Sequence, residues 1–407
     1  MRTQVGIIGA GPAGLMLAHL LHLEGIDSVV LETRGRAYVE SRVRAGVLEH
    51  DTAQLLADTG VGARMRREGL VHTGLELRFE GVSRRIDLAA LTSGRGITVY
   101  GQQEVVKDLI AARLAAGGEI LFDVTDVELA GIDSDAPVIR FAHEGTIREL
   151  NCLVVAGCDG FHGVSRGSIP ASARRTVEHT YPFSWLGVLA QAAPSAHELI
   201  YAQHERGFAL HSMRSPEVTR LYLQVPNGTE SSDWPTARIW DELHTRLATN
   251  DGFTLKEGPI LEQGVTPMRS FVTEPMRYGQ LFLAGDAAHI VPPTGAKGLN
   301  LAVADVRFLA EALTTWFRQG RGTGLDEYSA RCLRRIWRVQ HFSSWMTGLL
   351  HRPADADEFS HRLQVAQLEY VTTSTAAATT LAENYVGLPL DWSSRVDTPV
   401  TPTVPFA

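Results

Sequence analysis

The sequence predicts an α/β protein: a discontinuous domain built on a doubly wound parallel sheet, an inserted antiparallel-sheet domain and a helical C-terminal region. Three observations predict this architecture. The chain opens as strand, glycine loop, helix and strand, and apolar strands recur at residues 153–156 and 281–284, each followed by a Gly/Asp turn. Between residues 181 and 267, short segments of alternating polarity are separated by turn residues, which is typical of antiparallel strands.

The chain has 407 residues, enough for two or three domains, and the three sequence patterns give provisional domain bounds. Helical periodicity follows residue 298, with a glycine-rich break at 320–324 that we interpret as a helix end and turn. The expected bounds are 1–75, 98–180 and 268–320 for the parallel-sheet domain, 76–97 and 181–267 for the antiparallel substrate domain, 321–390 for the helical region and 391–407 for an extended tail.

Composition excludes several classes of function. Lys and Arg total 38 against 46 Asp and Glu, a net charge of −8, so nucleic acid is not an expected partner. Cys152, Cys158 and Cys332 are too few and too scattered for a disulfide framework, which fits a reducing cytoplasm. No segment approaches the ~20 apolar residues of a membrane span, and no signal-peptide pattern begins the chain. We expect a cytoplasmic enzyme with no membrane partner.

The first loop has the spacing of a dinucleotide-binding motif. Gly9 permits a tight turn after the first strand, Gly11 lets a pyrophosphate approach the backbone, and Gly14 lets the following helix pack on the sheet. Glu32 ends the next strand, where a carboxylate accepts hydrogen bonds from a ribose 2′-hydroxyl. Because Glu32 would repel a 2′-phosphate, this loop should hold FAD or NAD rather than NADP.

Two later turns favour FAD. Asp159 follows the strand at 153–156, and Asp286 follows the strand at 281–284, where it could accept from a ribityl hydroxyl. Residues 292–300 then open a helix, and helix N-terminal N–H groups stabilise the negative charge of a reduced flavin. Either turn alone could equally be an ordinary turn.

Alternation within the inserted block predicts a polar substrate face. If the turn at 215–217 closes a hairpin with Arg214 opposite Arg220, then Ser212 lies opposite Tyr222. Arg214 is a bidentate partner for a carboxylate, and the two hydroxyls can donate beside it.

A second hairpin, closed near residues 205–207, extends the same face. With Leu199 opposite Ser212, Tyr201 lies opposite Leu210, and paired residues share a face of the sheet. The predicted face comprises Leu199, Tyr201, Leu210, Ser212, Arg214, Arg220 and Tyr222.

With the three turns in this order, the chain resembles the class A, single-component flavoprotein aromatic monooxygenases. Longer stretches that carry the resemblance are residues 42–49, 156–163, 285–300 and 383–389, and it extends from Met1 to about Pro389. The resemblance implies that NADPH or NADH reduces FAD, that O2 adds to give a flavin C4a-hydroperoxide, and that 4-hydroxybenzoate is hydroxylated beside its phenol. The products would be 3,4-dihydroxybenzoate and water.

The resemblance also implies roles for individual residues. Tyr201 would bind the phenolic oxygen, Tyr385 and His72 would continue a proton relay to solvent, and the Pro293 carbonyl would contact the substrate hydroxyl. Residues assigned to the substrate are Ser212, Arg214, Tyr222, Leu199, Leu210 and Val47. Residues assigned to FAD are Gly9, Gly11, Gly14, Glu32, Arg42, Arg44, Gln102, Asp159, Arg220, Asp286, Lys297, Leu299 and Asn300.

No second strand-bound glycine loop is visible, so the nicotinamide donor should bind transiently at the surface. Residues that the resemblance assigns to it are Arg34, Tyr38, His162, Arg166 and Arg269. Residues 33–38, where the family distinguishes its donors, depart from the pattern: Thr33 replaces a basic residue, and Gly35 weakens a short helix. We favour NADPH with NADH tolerated, and the resemblance suggests a homodimer.

Other functions remain open at this stage. The same fold could hydroxylate 3-hydroxybenzoate or 3,4-dihydroxybenzoate, and a non-catalytic flavin sensor would share the FAD motifs. A disulfide reductase is disfavoured because no cysteine precedes Cys152. We expect no metal centre, since the closest histidine pair is His19 and His22 on the first helix.

Overall fold

The structure is a computed structural model of the chain and describes residues 1–42 and 46–390. The predicted FAD contact Arg44 and the predicted tail at 391–407 therefore lie outside the described residues. Within this part of the chain, strands and helices are numbered separately from the N-terminus.

The strands β1 to β20 belong to four sheets. In chain order they are Val5–Ile8, Ser28–Leu31, Val47–Leu48, Leu70–His72, Gly74–Phe79, Val82–Asp87, Ile97–Val99, Glu119–Leu121, Thr125–Ala130, Val138–His143, Thr146–Asn151, Val154–Gly157, Arg175–Ala190, Leu199–Ala202, Ala209–Met213, Thr219–Pro226, Ile260–Glu274, Arg277–Tyr278, Leu281–Leu283 and His289–Ile290.

The helices are concentrated at the two ends of the chain. In chain order, α1 to α12 are Pro12–Leu23, Arg36–Ser41, His50–Asp58, Ala63–Glu68, Leu88–Leu91, Gln102–Ala115, Ser165–Ser168, Thr236–Leu247, Gly298–Gln319, Thr323–Leu350, Glu358–Thr373 and Thr375–Val386. Pro12 starts α1, where a missing N–H costs nothing. Gly320 ends α9 in the left-handed conformation, φ 67°, and α10 follows, as the glycine-rich break predicts.

The parallel sheet has the order β18-β19-β12-β1-β2-β8, with β18 antiparallel at one edge. Strands β1, β12 and β19 are neighbours, and all their residues are buried. Their carboxyl ends therefore bring three predicted turns to one edge of the sheet, starting at Gly9, Cys158 and Gly285. This arrangement confirms the predicted doubly wound sheet.

The antiparallel unit is an eight-stranded sheet with the order β20-β17-β13-β16-β15-β14-β5-β6. The expectation of short strands is wrong for two of them, because β13 has 16 residues and β17 has 15. They pair along most of their length, and the bounds predicted at 180/181 and 267/268 fall inside them. The division into units stays a proposal at these two positions.

The predicted pairing of the hairpins is right in one case and wrong in the other. Tyr201 pairs with Leu210, as expected. Between β15 and β16, however, Ser212 pairs with Arg220 and Leu210 with Tyr222, not Arg214 with Arg220 and Ser212 with Tyr222. The Arg214 amide donates to the Val218 carbonyl (2.8 Å), so the turn is two residues shorter than assumed. Because the pairing is shifted by two residues, each side chain stays on its predicted face of the sheet.

The C-terminal helices cover both units. Helix α10 packs along α9, whereas α12 contacts α5 and α11 contacts β5. One apolar core surrounds the parallel sheet, and a second lies between the antiparallel sheet and the last three helices, with Tyr201, Phe208, Met346 and Tyr385 at its centre. Among the described residues, no helix is both long and apolar enough to cross a membrane.

Candidate active site

Two glycines of the first loop are required because a side chain would clash there, and the third leaves open space beside the backbone. Gly9 has φ +104°, and a Cβ there would overlap the Cys158 carbonyl. A Cβ on Gly14 would overlap the Gly9 carbonyl, so a glycine is required where α1 meets the loop. At Gly11 a Cβ would meet nothing within 4 Å. The backbone is thus open at the N-terminus of α1, where an anion is stabilised.

Glu32 connects the end of β2 to this loop. Its Oε2 accepts from the Ala10 amide (2.7 Å) and its Oε1 from the Arg34 amide (2.8 Å). The carboxylate is therefore held beside the glycine loop.

The two Asp turns differ in exposure. Asp159 Oδ2 accepts from the Ser165 amide and hydroxyl, both at 2.9 Å, while its buried Oδ1 has no partner among the described residues. Burial raises the pKa of Asp159. Asp286 is exposed, and the turn behind it is fixed by the buried Asp305, whose Oδ2 accepts from the Gly285 amide (3.0 Å).

The start of α9 is built around a buried ion pair. Lys297 Nζ donates to Glu49 Oε1 (2.6 Å) and to the Tyr385 carbonyl (2.9 Å). Asn300 Oδ1 accepts from the Glu49 amide (2.9 Å), and its Nδ2 donates to the Val47 carbonyl (3.0 Å). Burial lowers the pKa of Lys297, although Glu49 opposes the shift. Sequence reasoning missed Glu49, whose partners are about 250 residues away.

Tyr201 and Tyr385 form a buried hydroxyl pair. Their phenolic oxygens are 2.6 Å apart, and their rings meet edge to face. Burial raises the pKa of both tyrosines. His72, at the end of β4, is also buried, and neither ring nitrogen has a partner among the described residues. Burial lowers the pKa of His72 to about 4.

The predicted carboxylate site contains cations with unused donors. Nε and Nη1 of Arg214 are inaccessible to solvent and make no hydrogen bond in the described structure, and the same holds for Arg220. Burial lowers the pKa of Arg214, and Arg220 adds to the shift. Arg220 lies over the Tyr222 ring at 5.3 Å, with its Nη1 3.7 Å from Glu262. Buried donors without acceptors are costly unless an anion pairs with them.

The remaining predicted contacts differ in their exposure. Leu199, Leu210 and Ser212 are buried, and Val47 and Tyr222 are half-buried. Pro293 is exposed and begins a single helical turn before α9, while Leu299 is half-buried in that helix. Gln102 is the first residue of α6, and Arg42 is exposed after α2.

An aromatic wall that sequence reasoning missed lies on the same face of the sheet as Tyr222. The Trp185 ring is 4.8 Å from Tyr222 and 5.1 Å from Phe208. Trp185 Nε1 donates to His351 Nε2 (2.6 Å), and His351 stacks on Phe208 at 4.3 Å. These residues come from distant segments, and no local periodicity marks them.

The residues predicted for the nicotinamide donor fall into two groups. Arg34 lies over the Tyr38 ring at 5.4 Å, and both side chains are exposed.

The second group surrounds Phe161. Arg269 lies over its ring at 3.7 Å, Arg166 at 4.5 Å, and the His162 ring meets it edge to face at 5.0 Å. Arg166 Nη1 donates to the Ala287 carbonyl (3.0 Å), which ties this group to the Asp286 turn.

The chain is similar to known proteins over most of its length. The model of the FAD binding domain family matches residues 2–343. The p-hydroxybenzoate hydroxylase of Acinetobacter baylyi is 50% identical over 394 residues, 97% of each chain. An uncharacterized aromatic compound monooxygenase of Bacillus subtilis is 26% identical over 310 residues, 75% of this chain and 60% of that protein.

A solved structure has the same fold. It is p-nitrophenol 4-monooxygenase from Pseudomonas putida DLL-E4, with a TM-score of 0.82 and 20% identity, covering 95% of this chain and 99% of that chain. At this identity, the likeness shows a shared architecture and does not bear on substrate.

Proposed function

We propose that this chain, which belongs to the FAD binding domain family of flavin-dependent aromatic hydroxylases, hydroxylates 4-hydroxybenzoate to 3,4-dihydroxybenzoate. The reaction uses FAD, a nicotinamide donor and O2. One structural observation carries the choice of substrate. Arg214, a cation with unused buried donors, and Tyr201, whose buried hydroxyl meets that of Tyr385 from α12, share one face of the same sheet.

The carboxylate end follows from the chemistry of that face. A benzoate carboxylate accepts two parallel hydrogen bonds from a guanidinium, which would satisfy Nε and an Nη of Arg214. Ser212 and Tyr222 supply hydroxyls beside it, and Leu199, Leu210 and Val47 supply apolar walls for the ring. A para-hydroxyl fits this arrangement best, because Tyr201 and Arg214 then bracket the ring.

At the phenol end, the chain must remove a proton, because a phenolate ring is richer in electrons and more readily attacked by an electrophilic oxygen. Tyr201 would accept the hydrogen bond from the substrate hydroxyl, and its own contact with Tyr385 offers a path away from the ring. His72 would receive the proton next, and the Pro293 carbonyl would orient the substrate hydroxyl.

The protein binds FAD, and the described residues fit that group. The open backbone at Gly11 and the Glu32 carboxylate suit a pyrophosphate and a ribose, and Asp159 retains a buried oxygen without a partner. Bound FAD, once reduced, supplies the activated oxygen. Further residues proposed to hold it are Gly9, Gly14, Arg42, Gln102, Arg220, Asp286, Lys297, Leu299 and Asn300.

NADPH is the favoured donor, since Arg34 and Tyr38 present a cation and an aromatic ring at the surface and NADPH is typical of the family. The group around Phe161 would bind the donor pyrophosphate through Arg166 and Arg269. A comparison of kcat/KM for NADPH and NADH tests this preference, and a strong preference for NADH would refute it.

A homodimer in the cytoplasm is the proposed state of the protein. Helix α11 exposes Phe359, Leu363 and Tyr370 by 68%, 56% and 59%, an apolar stripe suited to a second copy. Cys152, Cys158 and Cys332 are all free thiols, which fits a reducing compartment. Sedimentation of the FAD-loaded protein tests the first statement, and fractionation of cells tests the second.

The decisive experiment is turnover with 4-hydroxybenzoate. Under anaerobic conditions the substrate should accelerate reduction of the flavin by NADPH, and admission of O2 should yield 3,4-dihydroxybenzoate. Parallel reactions with 3-hydroxybenzoate and 3,4-dihydroxybenzoate test the alternative substrates. Binding of FAD without substrate-stimulated NADPH oxidation would indicate a sensor and contradict the proposal.

A further inference from the structure

Beside the strand that ends in His72 lies an open groove of about 470 Å³. Val71, which lines it, is 71% exposed, whereas the next residue, His72, is 2% exposed. Consecutive residues of a strand point to opposite faces. The strand therefore carries the buried imidazole immediately next to a residue that faces bulk water.

Glu198 occupies this groove in a fixed position. It directly precedes β14, the strand that carries Tyr201. Arg85 holds its carboxylate through two bonds, Nε to Oε2 (2.6 Å) and Nη2 to Oε1 (2.9 Å). Thr73 Oγ1 accepts from Arg85 Nη2 (3.0 Å) and donates to Glu198 Oε1 (3.4 Å). Because Thr73 follows His72, the clamp is anchored to the strand that carries the imidazole.

The other charged groups around the groove are largely paired with one another. Asp87 accepts from the remaining Arg85 nitrogen, Nη1 (2.9 Å). Glu76 and Arg78 from β5 form their own ion pair at 2.9 Å. Among the groove residues, Glu198 is thus the carboxylate that is hydrogen-bonded to Thr73, the residue directly after His72.

The electrostatics of the pair agree with this geometry. Burial lowers the pKa of His72, and the Glu198 carboxylate opposes that shift. Burial alone would raise the pKa of Glu198, but hydrogen bonds from Arg85 keep it low, so the carboxylate stays charged near neutral pH. His211, from β15, is also near His72. Burial lowers the pKa of His211 to about 4, so its ring stays neutral near neutral pH.

We propose that Glu198, clamped by Arg85, is a positioning residue that sets the proton affinity of His72 and so controls release of the substrate proton to solvent. The inference rests on the proposed function. The proton passes from the substrate hydroxyl through Tyr201 and Tyr385 to a ring nitrogen of His72, and from there to solvent. Each group returns to its starting state, and the fixed carboxylate stabilises the imidazolium while it carries the charge.

The test is Glu198→Gln in the FAD-loaded enzyme, with substrate ionisation followed by the ultraviolet absorbance of bound 4-hydroxybenzoate. Loss of the negative charge should lower the pKa of His72, move the inflection of the rate profile to lower pH and slow proton release at pH 7 roughly tenfold, the rate equivalent of about one pKa unit. The KM for 4-hydroxybenzoate should change less than twofold. Glu198→Asp should restore most of the rate.

Matched variants separate the inference from simpler explanations. Asp87→Asn removes the other carboxylate on Arg85 and should leave the profile unchanged; a shift as large as that of Glu198→Gln would overturn the inference. His72→Asn should slow proton release at least as much as Glu198→Gln. If His72→Asn is slow but Glu198→Gln behaves as wild type, only the role of Glu198 fails. If neither variant is slow, the relay in the proposed function fails.

Discussion

The phenolic oxygens of Tyr201 and Tyr385 lie 2.6 Å apart, although the residues are separated by 184 positions. Tyr201 belongs to β14 of the antiparallel sheet, and Tyr385 to the last helix, α12. The carbonyl of Tyr385 also accepts from Lys297, at the start of α9. A single residue of α12 therefore contacts both the substrate sheet and the helix start that is proposed to face the flavin.

Tyr385→Phe keeps the ring and removes the hydroxyl from this pair. We expect the hydroxylation rate to fall about 100-fold, the low end of the usual contribution of acid–base groups, with substrate KM within twofold. Product formation and proton release in stopped-flow experiments measure the change. Unaltered proton release would remove Tyr385 from the relay.

Tyr201→Phe should have a different effect, because the substrate hydroxyl itself loses its partner. Flavin reduction should continue, but O2 consumption should yield H2O2 in place of hydroxylated product. The ratio of 3,4-dihydroxybenzoate to H2O2, measured against NADPH consumed, reports this uncoupling. Full coupling in the variant would show that Tyr201 does not act on the phenol.

Arg214→Ala should raise the KM for 4-hydroxybenzoate by about 30-fold or more, since loss of a buried charged partner costs about 2–5 kcal/mol. FAD binding should be unchanged. Arg214→Lys keeps the charge but loses the bidentate geometry, so its KM should lie between those of wild type and Arg214→Ala. Equal KM values for wild type and Arg214→Ala would refute carboxylate binding at this residue.

The three glycines of the first loop should respond differently to alanine. Gly14→Ala brings a Cβ onto the Gly9 carbonyl and should lower the melting temperature of the apoprotein. Gly11→Ala meets nothing within 4 Å and should leave that temperature unchanged while raising the Kd for FAD, because the added methyl group occupies the space a pyrophosphate needs. Calorimetry and flavin fluorescence separate the two effects. Unaltered FAD affinity in Gly11→Ala would contradict the assignment of this loop.

Structural elements that are marked by a short stretch of sequence could be predicted from the sequence. The glycine spacing and the apolar strands sufficed for the parallel sheet, Glu32 indicated FAD or NAD, and the Asp159 and Asp286 turns favoured FAD. Alternation put Arg214 and Tyr201 on one face. The β15–β16 pairing was off by two residues because turn length is set by a few backbone hydrogen bonds, here Arg214 to Val218.

The residues that sequence reasoning missed act through distant partners. Glu49 meets Lys297 across 248 positions, and His351 meets Trp185 across 166. A buried polar residue among apolar ones carries no periodicity of its own, so only tertiary packing shows whether its partners are present. Glu198 is a further example, since its partners are Arg85 from β6 and Thr73 from between β4 and β5.

His351 provides a prediction about stability. Its Nε2 accepts from Trp185 (2.6 Å), so the ring must carry its proton on Nδ1, which donates to the Thr347 carbonyl (3.0 Å). This neutral ring is stacked between Phe183 and Phe208, and burial lowers its pKa to about 3. The native state therefore excludes a proton that the unfolded state binds below the ordinary histidine pKa of about 6.5.

The sign of the effect follows from this difference. The contribution of His351 is fully present above pH 6.5 and is lost as pH falls toward about 3, at up to about 1.4 kcal/mol per pH unit. His351→Gln should destabilise the FAD-loaded enzyme at pH 8, because it removes the stacking, and should flatten the decline between pH 6.5 and 5. His341→Gln, at an exposed position of the same helix, is the control and should retain the wild-type slope. Urea unfolding of wild type and the two variants at pH 8, 6.5 and 5 measures how steeply the free energy of unfolding of each protein changes with pH. Equal slopes for His351→Gln and wild type would show that His351 is not the group that excludes the proton.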